Sequence, residues 1–469
     1  MPLTVLKDSD IQELLHDLKL ADLENFQKKM REALHEYSTG TQDDDCCSIH
    51  QPKRTFLETK RKTTTLFMPS TSSAGIGMKD SSNTSSDFDT ASTSSSNSNL
   101  STPQGSLTLM DQTGQPFGFL NATETTAFRT ALASSLLITP RTKVKTLTVY
   151  GAGKQAFWHV RLALILRGHT IKTINVINRS FTDRTRAFLK SFLHIPDHVK
   201  EREGWASAKF TILSPAYGEF ARLEKDYLRA SDIIFLTTPS TTPVFNHQIL
   251  TNTEGRKKGR LIVAIGSYKP HMIEIPLEVM AQAVKVHGSG HHFHKHAQEG
   301  GVIVVDTIDG CKEEAGEIIQ SNISAKNLVE LGELVMLSHG SDSSSAIDDT
   351  DDSPPDGAST PTPGSPLLSR SIANVFRDEH TGSTSPSSSR SPSQSKSRSG
   401  SMNSSNPSIA TGMLGRDILG EKDDDMSRWL RNGNVIYKSV GMGLMDLVVG
   451  TELVRLAREK GVGVNVEGF

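Results

Sequence analysis

Cysteine is scarce in this sequence, and long apolar runs are missing from it. The 469 residues contain three cysteines, the adjacent pair Cys46 and Cys47 and the distant Cys311. This arrangement offers neither a disulfide framework nor a Cys-x-x-Cys metal site, and it fits a reducing compartment. No run of roughly 18 apolar residues occurs, so we expect no transmembrane helix. The N-terminus lacks a basic region followed by an apolar one, so we expect no signal peptide and a cytoplasmic location.

A strong charge of one sign is also missing, since the net charge is -2 at pH 7. No global field therefore favours nucleic acid or an anionic membrane as a partner. Hydrophobic residues make up 35% and aromatic residues 6% of the chain, which is low for one compact globule. The deficit is local, because residues 81–104 and 339–408 are mainly Ser, Thr, Asn and Pro. We expect both stretches to be disordered insertions, the second either phosphorylated or without a role of its own.

The sequence is organised around a strand that leads into a glycine turn. Thr146–Tyr150 is expected to form a buried strand, followed by a helix over about 155–167. Gly151 allows the tight turn, Gly153 lets backbone N–H groups approach a pyrophosphate, and Ala156 permits close packing of helix on strand. The phosphates would lie at a helix N-terminus, where unpaired N–H groups favour anions. The pattern predicts dinucleotide binding; the alternative is a glycine turn needed only for packing.

The end of the next strand selects the nicotinamide nucleotide. An NAD site requires Asp or Glu there, to accept a hydrogen bond from the ribose 2′-hydroxyl. The sequence instead has Asn178, Arg179 and Ser180. A guanidinium and a hydroxyl bind a 2′-phosphate, and no carboxylate repels it. We therefore predict NADP(H) rather than NAD(H); the alternative is that Arg179 is an ordinary solvated residue.

Strands and helices alternate from residue 143 onward, and the strands are apolar on both faces. This pattern predicts an α/β fold with a parallel sheet covered by helices on both sides. The further strands expected are Thr173–Asn178, Ala208–Leu213, Ile233–Thr237, Leu261–Ile265 and Val302–Asp306. The other expected elements are a strand at Thr4–Leu6, a helix with Ser9 as N-cap, a helix over about 22–37, a hairpin over 107–120, helices over 123–137 and 313–338, a strand over 434–441 and a helix over 445–460.

A series of short motifs resembles the ornithine cyclodeaminase / mu-crystallin family, and in particular its reductase-like members. The matching residues are Pro52–Arg54, Met68–Pro69, Gly75–Lys79, Asp111–Pro116, Thr126–Thr130, Gly151–Ala156, Thr237–Ser240, Gly266–Pro270 with Glu274, Glu314–Glu317, and Lys438–Met442 with Asp446. Each motif is modest alone, but together they occur in order over nearly all of the chain outside the two polar stretches.

The resemblance implies a Rossmann-type domain over residues 138–338. It also implies a mixed α/β substrate-binding and dimerisation domain made from residues 1–137 and 421–469, with residues 339–420 as a disordered linker. Members of the family act on small amino or imino acids, so the resemblance implies such a substrate and a homodimer, with neither nucleic acid nor a membrane as partner.

The same resemblance assigns roles to individual residues. Arg54 and Arg129 would clamp the substrate carboxylate, which suits the bidentate guanidinium fork. Lys79 would lie beside the reacting carbon and nitrogen, where its pKa can shift for proton transfer. The residues that would hold the cofactor are Thr130, Gly151, Ala152, Gly153, Gln155, Ala156, Asn178, Arg179, Ser180, Thr237, Thr238 and Ser439.

One departure from the family pattern decides between its activities. Cyclodeaminases have an Asp in the loop after the fifth strand, and this sequence has Tyr268 there. The difference favours an NAD(P)H-dependent oxidoreductase that reduces the C=N bond of imino or ketimine carboxylates. The alternatives are an ornithine cyclodeaminase, which forms proline and ammonia, and a non-catalytic NADP(H)-regulated binding protein.

Histidines crowd the segment 287–296. Imidazole is the commonest metal ligand, so a metal site was weighed here. Flanking glycines and a position between two strands instead favour a loop that binds metal only adventitiously. We therefore predict no resident metal.

Overall fold

The computed structural model describes residues 2–40, 49–60, 63–84, 104–285, 297–335 and 425–469. The predictions for the linker, for the histidine-rich segment, for Cys46 and Cys47, and for most of the first polar stretch lie outside these ranges.

The first sheet has seven strands in the order β15-β1-β6-β5-β4-β3-β2. Its strands are β1 Leu3–Leu6, β2 Thr55–Glu58, β3 Thr63–Ser72, β4 Gly75–Thr84, β5 Ser106–Met110, β6 Pro116–Asn121 and β15 Val464–Val466. All neighbours are antiparallel except β1 and β6, which are parallel. Burial alternates along β5, so one face packs on helices and the other is open.

Helices cover the inner face of this sheet. They are α1 Asp8–His16, α2 Leu20–Thr39, α3 Ala122–Ser135 and α14 Gly443–Lys460. The long C-terminal helix α14 lies against β3, β4 and β5 and also contacts α2 and α3. Because thirteen of its residues are buried, it is the central helix of this layer.

The second sheet has eight strands in the order β13-β12-β14-β11-β10-β7-β8-β9, and all its pairs are parallel. Its strands are β7 Thr146–Tyr150, β8 Thr173–Ile177, β9 Lys209–Leu213, β10 Ile233–Leu236, β11 Leu261–Ala264, β12 Ile303–Val305, β13 Leu328–Glu330 and β14 Val435–Lys438. The central strands are buried along their whole length, as expected for a sheet covered on both faces. The predicted α/β Rossmann-type fold is confirmed.

The helices around the second sheet are short apart from the first. They are α4 Lys154–Arg167, α5 Asp183–Leu193, α6 Asp197–Arg202, α7 Phe220–Ala230, α8 Gln248–Thr251, α9 Leu277–Ala283, α10 Ile308–Glu314, α11 Gly316–Gln320, α12 Leu331–Leu334 and α13 over 425–432, with 3-10 turns at Gly255–Lys257 and Ala325–Asn327. Across the described ranges, none of the helices has the length and apolarity needed to cross a membrane.

Four expectations differ from the structure. Ser9 is not an N-cap, because α1 begins at Asp8 and the Asp10 carboxylate accepts the Lys7 backbone N–H at 3.2 Å. The helix expected over 313–338 is broken by Ala315, whose backbone is extended, and by strand β13. The first polar stretch starts later than expected, since residues 81–84 complete β4. Backbone pairing with β3 orders these residues, and that pairing does not depend on apolar side chains.

The fourth difference concerns β14. Residues 421–469 were assigned to the substrate domain, yet β14 lies in the second sheet between β11 and β12. Val435 and Tyr437 lie on one face and Ile436 on the other, and a central position in a parallel sheet buries both faces. The other domain boundaries stay predictions.

Candidate functional site

The glycine turn after β7 packs directly against the loop that follows β10. Gly151 has φ +107, and a Cβ there would lie 2.8 Å from Thr237 Oγ1 and 3.0 Å from Thr238 Cγ2. The Thr237 hydroxyl donates a hydrogen bond to the Tyr150 carbonyl at 2.7 Å. Only glycine fits here, because both the φ angle and the contact exclude a side chain.

The start of α4 is open to an anion. A Cβ built on the exposed Gly153 would meet no atom within 4 Å. Among the described residues no side chain caps this helix, and its first turn contains no acid. Lys154 points away, since its Nζ contacts Asp8 at 2.9 Å and also Glu124. Uncapped N–H groups at the end of a 14-residue helix therefore face open space, which fits a dinucleotide pyrophosphate.

The other predicted cofactor residues near this turn are buried or half-buried. Ala152 and Ala156 are buried, and Ala156 contacts the core as its predicted packing role requires. The side-chain Oε1 of Gln155 is buried without a hydrogen-bond partner in the described part of the chain. Thr130 is buried within α3, and its hydroxyl donates to the Thr126 carbonyl at 2.9 Å. The cofactor roles of these residues stay predictions.

The loop after β8 presents two exposed polar side chains. The Asn178 amide donates to the Ser180 carbonyl and to Thr185 Oγ1, both at 2.9 Å, and so shapes the loop. Arg179 and Ser180 are exposed, and neither side chain has a hydrogen bond within the described ranges. The geometry leaves a guanidinium and a hydroxyl available at the end of β8.

Lys79 and Arg129 meet at one carboxylate, that of Asp446. Lys79 Nζ lies 3.0 Å and Arg129 Nε 3.3 Å from the same oxygen, Asp446 Oδ1. All three side chains are buried. Lys79 lies on the helix-facing side of β4, where Gly77 is also buried, and Asp446 lies in the first turn of α14. We call these three residues the Lys79–Asp446–Arg129 cluster.

Two features of the cluster mark it as more than an ion pair. The other carboxylate oxygen, Asp446 Oδ2, is buried and has no hydrogen-bond partner in the described ranges. Burial lowers the pKa of Lys79 to about 8; the Asp446 carboxylate opposes this shift, and the Arg129 charge adds to it. Lys79 is therefore still mostly protonated at neutral pH but gives up its proton far more readily than a free lysine.

The loop after β14 holds Arg129 in place. The Asp306 carboxylate accepts the Ser439 hydroxyl at 2.8 Å and the backbone N–H groups of Val440 and Gly441 at 3.0 and 2.6 Å. Gly441 has φ +89, and a Cβ there would lie 2.6 Å from Arg129 Nη2. The Arg129 fork therefore rests against bare backbone. Ser439, predicted to bind cofactor, is buried with its hydroxyl bound to Asp306.

Arg54 completes this group of cations. Its guanidinium pairs with Glu314, with Nε 2.5 Å from Oε1, and donates to the Val440 carbonyl at 3.3 Å. Arg54 and Arg129 therefore both contact the loop over 440–441. The structure brings the predicted catalytic residue Lys79 and the two predicted substrate-binding arginines to one place, through partners that the sequence analysis left without a role: Asp306, Glu314 and Asp446. Two buried cations require a counter-charge, and this requirement is the signal that could have led to an acid.

Tyr268, which decided between the family's activities, is half-buried in the loop after β11. Lys269 and Pro270, which follow it, are exposed.

Comparison with curated proteins gives partial matches. No family model matches the chain. An uncharacterized protein of Saccharomyces cerevisiae is 29% identical over 266 residues, which are 51% of this chain and 66% of that protein. A Delta(1)-pyrroline-2-carboxylate reductase of Bacillus cereus is 29% identical over 188 residues, which are 39% of this chain and 49% of the reductase. The match thus spans less than two thirds of either relative.

Solved structures of similar fold extend over the whole chain. The Thermococcus litoralis Delta(1)-pyrroline-2-carboxylate reductase with NADH and L-proline has a TM-score of 0.58 at 18% identity, covering 99% of this chain and 100% of that one. A probable ornithine cyclodeaminase from Bordetella pertussis has a TM-score of 0.56 at 16% identity, covering 98% and 99%. The resemblance to the ornithine cyclodeaminase / mu-crystallin family is confirmed.

A further structure of similar fold is described as a dimer with a bound nucleotide. An archaeal alanine dehydrogenase dimer with bound NAD has a TM-score of 0.59 at 16% identity and covers 100% of both chains. At this identity the likeness shows the shared fold alone.

Proposed function

We propose that the protein is a nicotinamide-nucleotide-dependent reductase of the C=N bond of small imino carboxylates. The observation that supports this most is the Lys79–Asp446–Arg129 cluster, with two buried cations on one carboxylate. The cluster has one positive charge in excess, which an anionic substrate carboxylate would neutralise. Curated and structural relatives named as pyrroline-carboxylate reductases support the same reaction class.

Arg129 is the proposed primary carboxylate clamp. Its Nε is bound to Asp446, Nη1 contacts Met445 Sδ at 3.5 Å, and Nη2 lies against Gly441 without a hydrogen bond in the described ranges. A substrate carboxylate can therefore accept from this terminal edge without displacing a protein carboxylate. Arg54, already paired with Glu314, is the second and weaker clamp.

Lys79 is the proposed proton donor to the substrate nitrogen. When bound, the nicotinamide supplies the hydride to the substrate carbon. The C=N π electrons move to nitrogen, which takes a proton from Lys79 Nζ, and solvent then reprotonates the lysine. A lysine with a pKa of about 8 suits this role at neutral pH. Asp446 orients the ammonium, and its unpaired Oδ2 can accept the N–H that this proton transfer creates.

The cofactor would lie over the start of α4, beside the glycine turn. Gly153 leaves room for the pyrophosphate, the start of α4 supplies N–H donors, and Gly151 lets the turn pack on the loop after β10. We propose NADP(H) over NAD(H) because Arg179 and Ser180 are exposed at the end of β8 and no acid replaces them. The similar structures are described with NAD or NADH, so the preference rests on these two residues.

Oxidation of NADPH or NADH in the presence of Delta(1)-pyrroline-2-carboxylate, or its six-membered ring homologue, tests the proposal. We expect turnover with both cofactors and a lower KM for NADPH. Arg179→Ala should raise the KM for NADPH about tenfold, the loss of one charged hydrogen bond, and leave NADH unchanged. Lys190→Ala, on the exposed face of α5, is the matched control. Equal KM values for the two cofactors in the wild type would contradict the NADP assignment.

Two other activities would give different results with ornithine or with the imino acids. A cyclodeaminase releases ammonia from ornithine without net change in NADH, and Tyr268 in place of the family's Asp speaks against it. A binding protein takes up cofactor and imino acid without turnover on any substrate.

We also propose a homodimer formed through the open face of the first sheet. Val464, Val5, Phe119, Thr108 and Met78 form one row across five strands by their pairing register. Val464, Phe119 and Met78 are 61%, 44% and 39% exposed, a run of apolar surface that a second copy would cover. The alanine dehydrogenase of similar fold is described as a dimer.

A further inference from the structure

A second buried charge network lies beside the cluster, at the carboxyl ends of β10, β11 and β14. Glu274, Glu317, Lys438 and Ser267 are each fully buried. Burying two carboxylates and one ammonium away from solvent costs free energy unless hydrogen bonds and opposite charges compensate each group. None of these residues has a part in the proposed proton transfer.

Glu274 joins two loops through a single carboxylate. Its Oε1 accepts the Thr238 backbone N–H at 2.7 Å and the Thr238 hydroxyl at 3.3 Å. Its Oε2 accepts the backbone N–H groups of Gly266 and Ser267 at 2.6 and 3.2 Å. Thr238 belongs to the loop after β10, and Gly266 and Ser267 belong to the loop after β11. The carboxylate therefore fixes the separation of these loops.

The joined loops pack in series against the glycine turn. Thr237, next to Thr238, donates to the Tyr150 carbonyl and contacts Gly151 of the turn. The loop after β11 packs against the loop after β10, since a Cβ on Gly266 would overlap the Thr238 carbonyl oxygen. Movement of either loop would therefore alter the surroundings of the glycine turn.

The remaining members anchor Glu274 to the substrate side. The Glu274 backbone N–H and the Ser267 hydroxyl both donate to Glu317 Oε1, at 2.7 and 2.5 Å. Lys438 Nζ donates to the Ser267 carbonyl and, at 2.5 Å, to its hydroxyl. Lys438 directly precedes the loop over 439–441 that holds Arg129 and Arg54. A path of hydrogen bonds and adjacent residues thus runs from the glycine turn to the loop that contacts Arg129 and Arg54.

We propose that Glu274 is a positioning residue that holds the loops after β10 and β11 as one wall and so sets where the nicotinamide half of the cofactor lies. The inference rests on the proposed function, because it assumes a nicotinamide nucleotide at the glycine turn. It adds a residue that touches neither substrate nor cofactor yet controls the fit of the cofactor.

The protonation state of Glu274 gives this role a measurable signature. Burial raises the pKa of its carboxyl to about 7; Lys438 from β14 and the N–H donors oppose the shift, and Glu317 from α11 adds to it. A protonated carboxyl accepts these N–H donors less well than a carboxylate does. Cofactor binding should therefore weaken as pH falls through about 7.

The test compares Glu274→Gln, Glu274→Asp and the control Glu278→Gln, an acid on α9 whose side chain is 59% exposed. The Kd for NADPH and for NADH is measured by fluorescence titration between pH 6 and pH 8.5, with kcat and KM on the imino acid. Wild type and Glu278→Gln should show about a tenfold rise in Kd toward low pH, the effect of losing one charged hydrogen bond. Glu274→Gln should bind about tenfold more weakly at high pH, with a flat profile. Glu274→Asp keeps the charge, so it should recover part of the affinity at high pH and part of the pH dependence.

If Glu274→Gln has the same Kd values and the same pH dependence as the wild type, the inference is overturned, even if that variant melts at a lower temperature. A merely structural role would lower stability and leave the pH profile of the folded protein unchanged. If the wild type binds neither nucleotide, the proposed function fails separately. Hydrogen exchange of the loops over 237–240 and 265–269 then tests by itself whether Glu274 holds the two loops together: faster exchange in Glu274→Gln supports this part of the inference, and equal exchange in all variants contradicts it.

Discussion

At the scale of single residues, Asp446 is the acid on which the proposed chemistry depends. It is the carboxylate that both Lys79 and Arg129 contact, and the cations lie on a strand and a helix distant from it in the chain. Breaking a buried pair by removing one partner is strongly destabilising, since the remaining charge stays buried without compensation. The side chain therefore has a structural and a chemical role at once.

We predict that Asp446→Asn lowers the free energy of unfolding by about 3 kcal/mol. It should also lower the pKa of Lys79 below its value of about 8, because the carboxylate that raises this pKa is lost. The alkaline limb of the kcat/KM profile should then move to lower pH. Urea unfolding and the pH–rate profile measure the two effects. Asp17→Asn, a 75% exposed acid, is the control; an unmoved alkaline limb in Asp446→Asn would argue against Lys79 as the proton donor.

Gly441 is the residue that leaves room for the Arg129 fork. We predict that Gly441→Ala raises the KM for the imino acid about tenfold or more and leaves the Kd of the cofactor unchanged, because the new Cβ displaces Arg129. Gly461→Ala is a matched control: its φ is +68, so it has similar backbone strain, but nothing lies within 4 Å of the added atom. Both variants should lose about 1–2 kcal/mol of stability. Equal KM values in the two variants would contradict the role given to Gly441.

At the scale of elements, the segment that begins with β14 serves several parts of the site. Lys438 at its end joins the Glu274 network, Ser439 and Gly441 bind Asp306, and Asp446 pairs with Lys79. The segment passes from the second sheet into the helix that lies on the first. This short piece of chain therefore links the second sheet directly to the Lys79–Asp446–Arg129 cluster.

The open face of the first sheet is an element-scale feature with its own prediction. We expect Phe119→Glu to convert a dimer into a monomer, because a charge in a covered apolar row is left desolvated and unpaired. Light scattering during size-exclusion chromatography measures the mass. Leu193→Glu, at a 71% exposed leucine that ends α5, is the control and should leave the mass unchanged. A wild type that is monomeric at all concentrations would contradict the dimer proposal.

At the scale of the whole molecule, buried ionisable groups make stability depend on pH. Glu274 has its pKa raised from 4.5 to about 7, and Glu330 likewise, mainly by burial. Such groups bind protons more tightly in the folded state, so their contribution is present at low pH and lost as pH rises through about 7. The pKa of Lys79 is lowered from 10.5 to about 8, so this residue binds its proton less tightly in the folded state. Its contribution to stability therefore increases as pH rises from about 8 to about 10.5.

We therefore predict that these groups together give a minimum of stability near pH 7–8. For Glu274 alone, the rise of its pKa from 4.5 to about 7 corresponds to about 3.5 kcal/mol of stability between pH 4.5 and 7, from about 1.4 kcal/mol per pH unit. Urea unfolding of wild type and Glu274→Gln across this range measures it. The difference between the two proteins should change with pH in that window; a constant difference would show that Glu274 does not titrate there.

The sequence by itself determined the parts of this protein whose signals are local. The strand, glycine turn and helix over 146–167 occupy consecutive residues, so periodicity and turn chemistry were enough to predict them. The parallel strands could be predicted because apolar residues on both faces fit only a covered sheet. Strands β2, β3 and β4 were not predicted as such, since their Thr, Ser and Met residues show no clear apolar alternation and backbone pairing alone defines them.

Tertiary structure decided how the charges of the site are paired. Lys79 and Asp446 are 367 residues apart in the chain, and Glu274 and Glu317 are 43 apart. No local pattern specifies such a pair, because the energy of a buried ion pair depends on distance and desolvation, which only the packed fold fixes. The family motifs contained every one of these residues. Only their contacts in the folded protein show that Asp446 holds the proposed proton donor, whereas Glu274 holds two loops together.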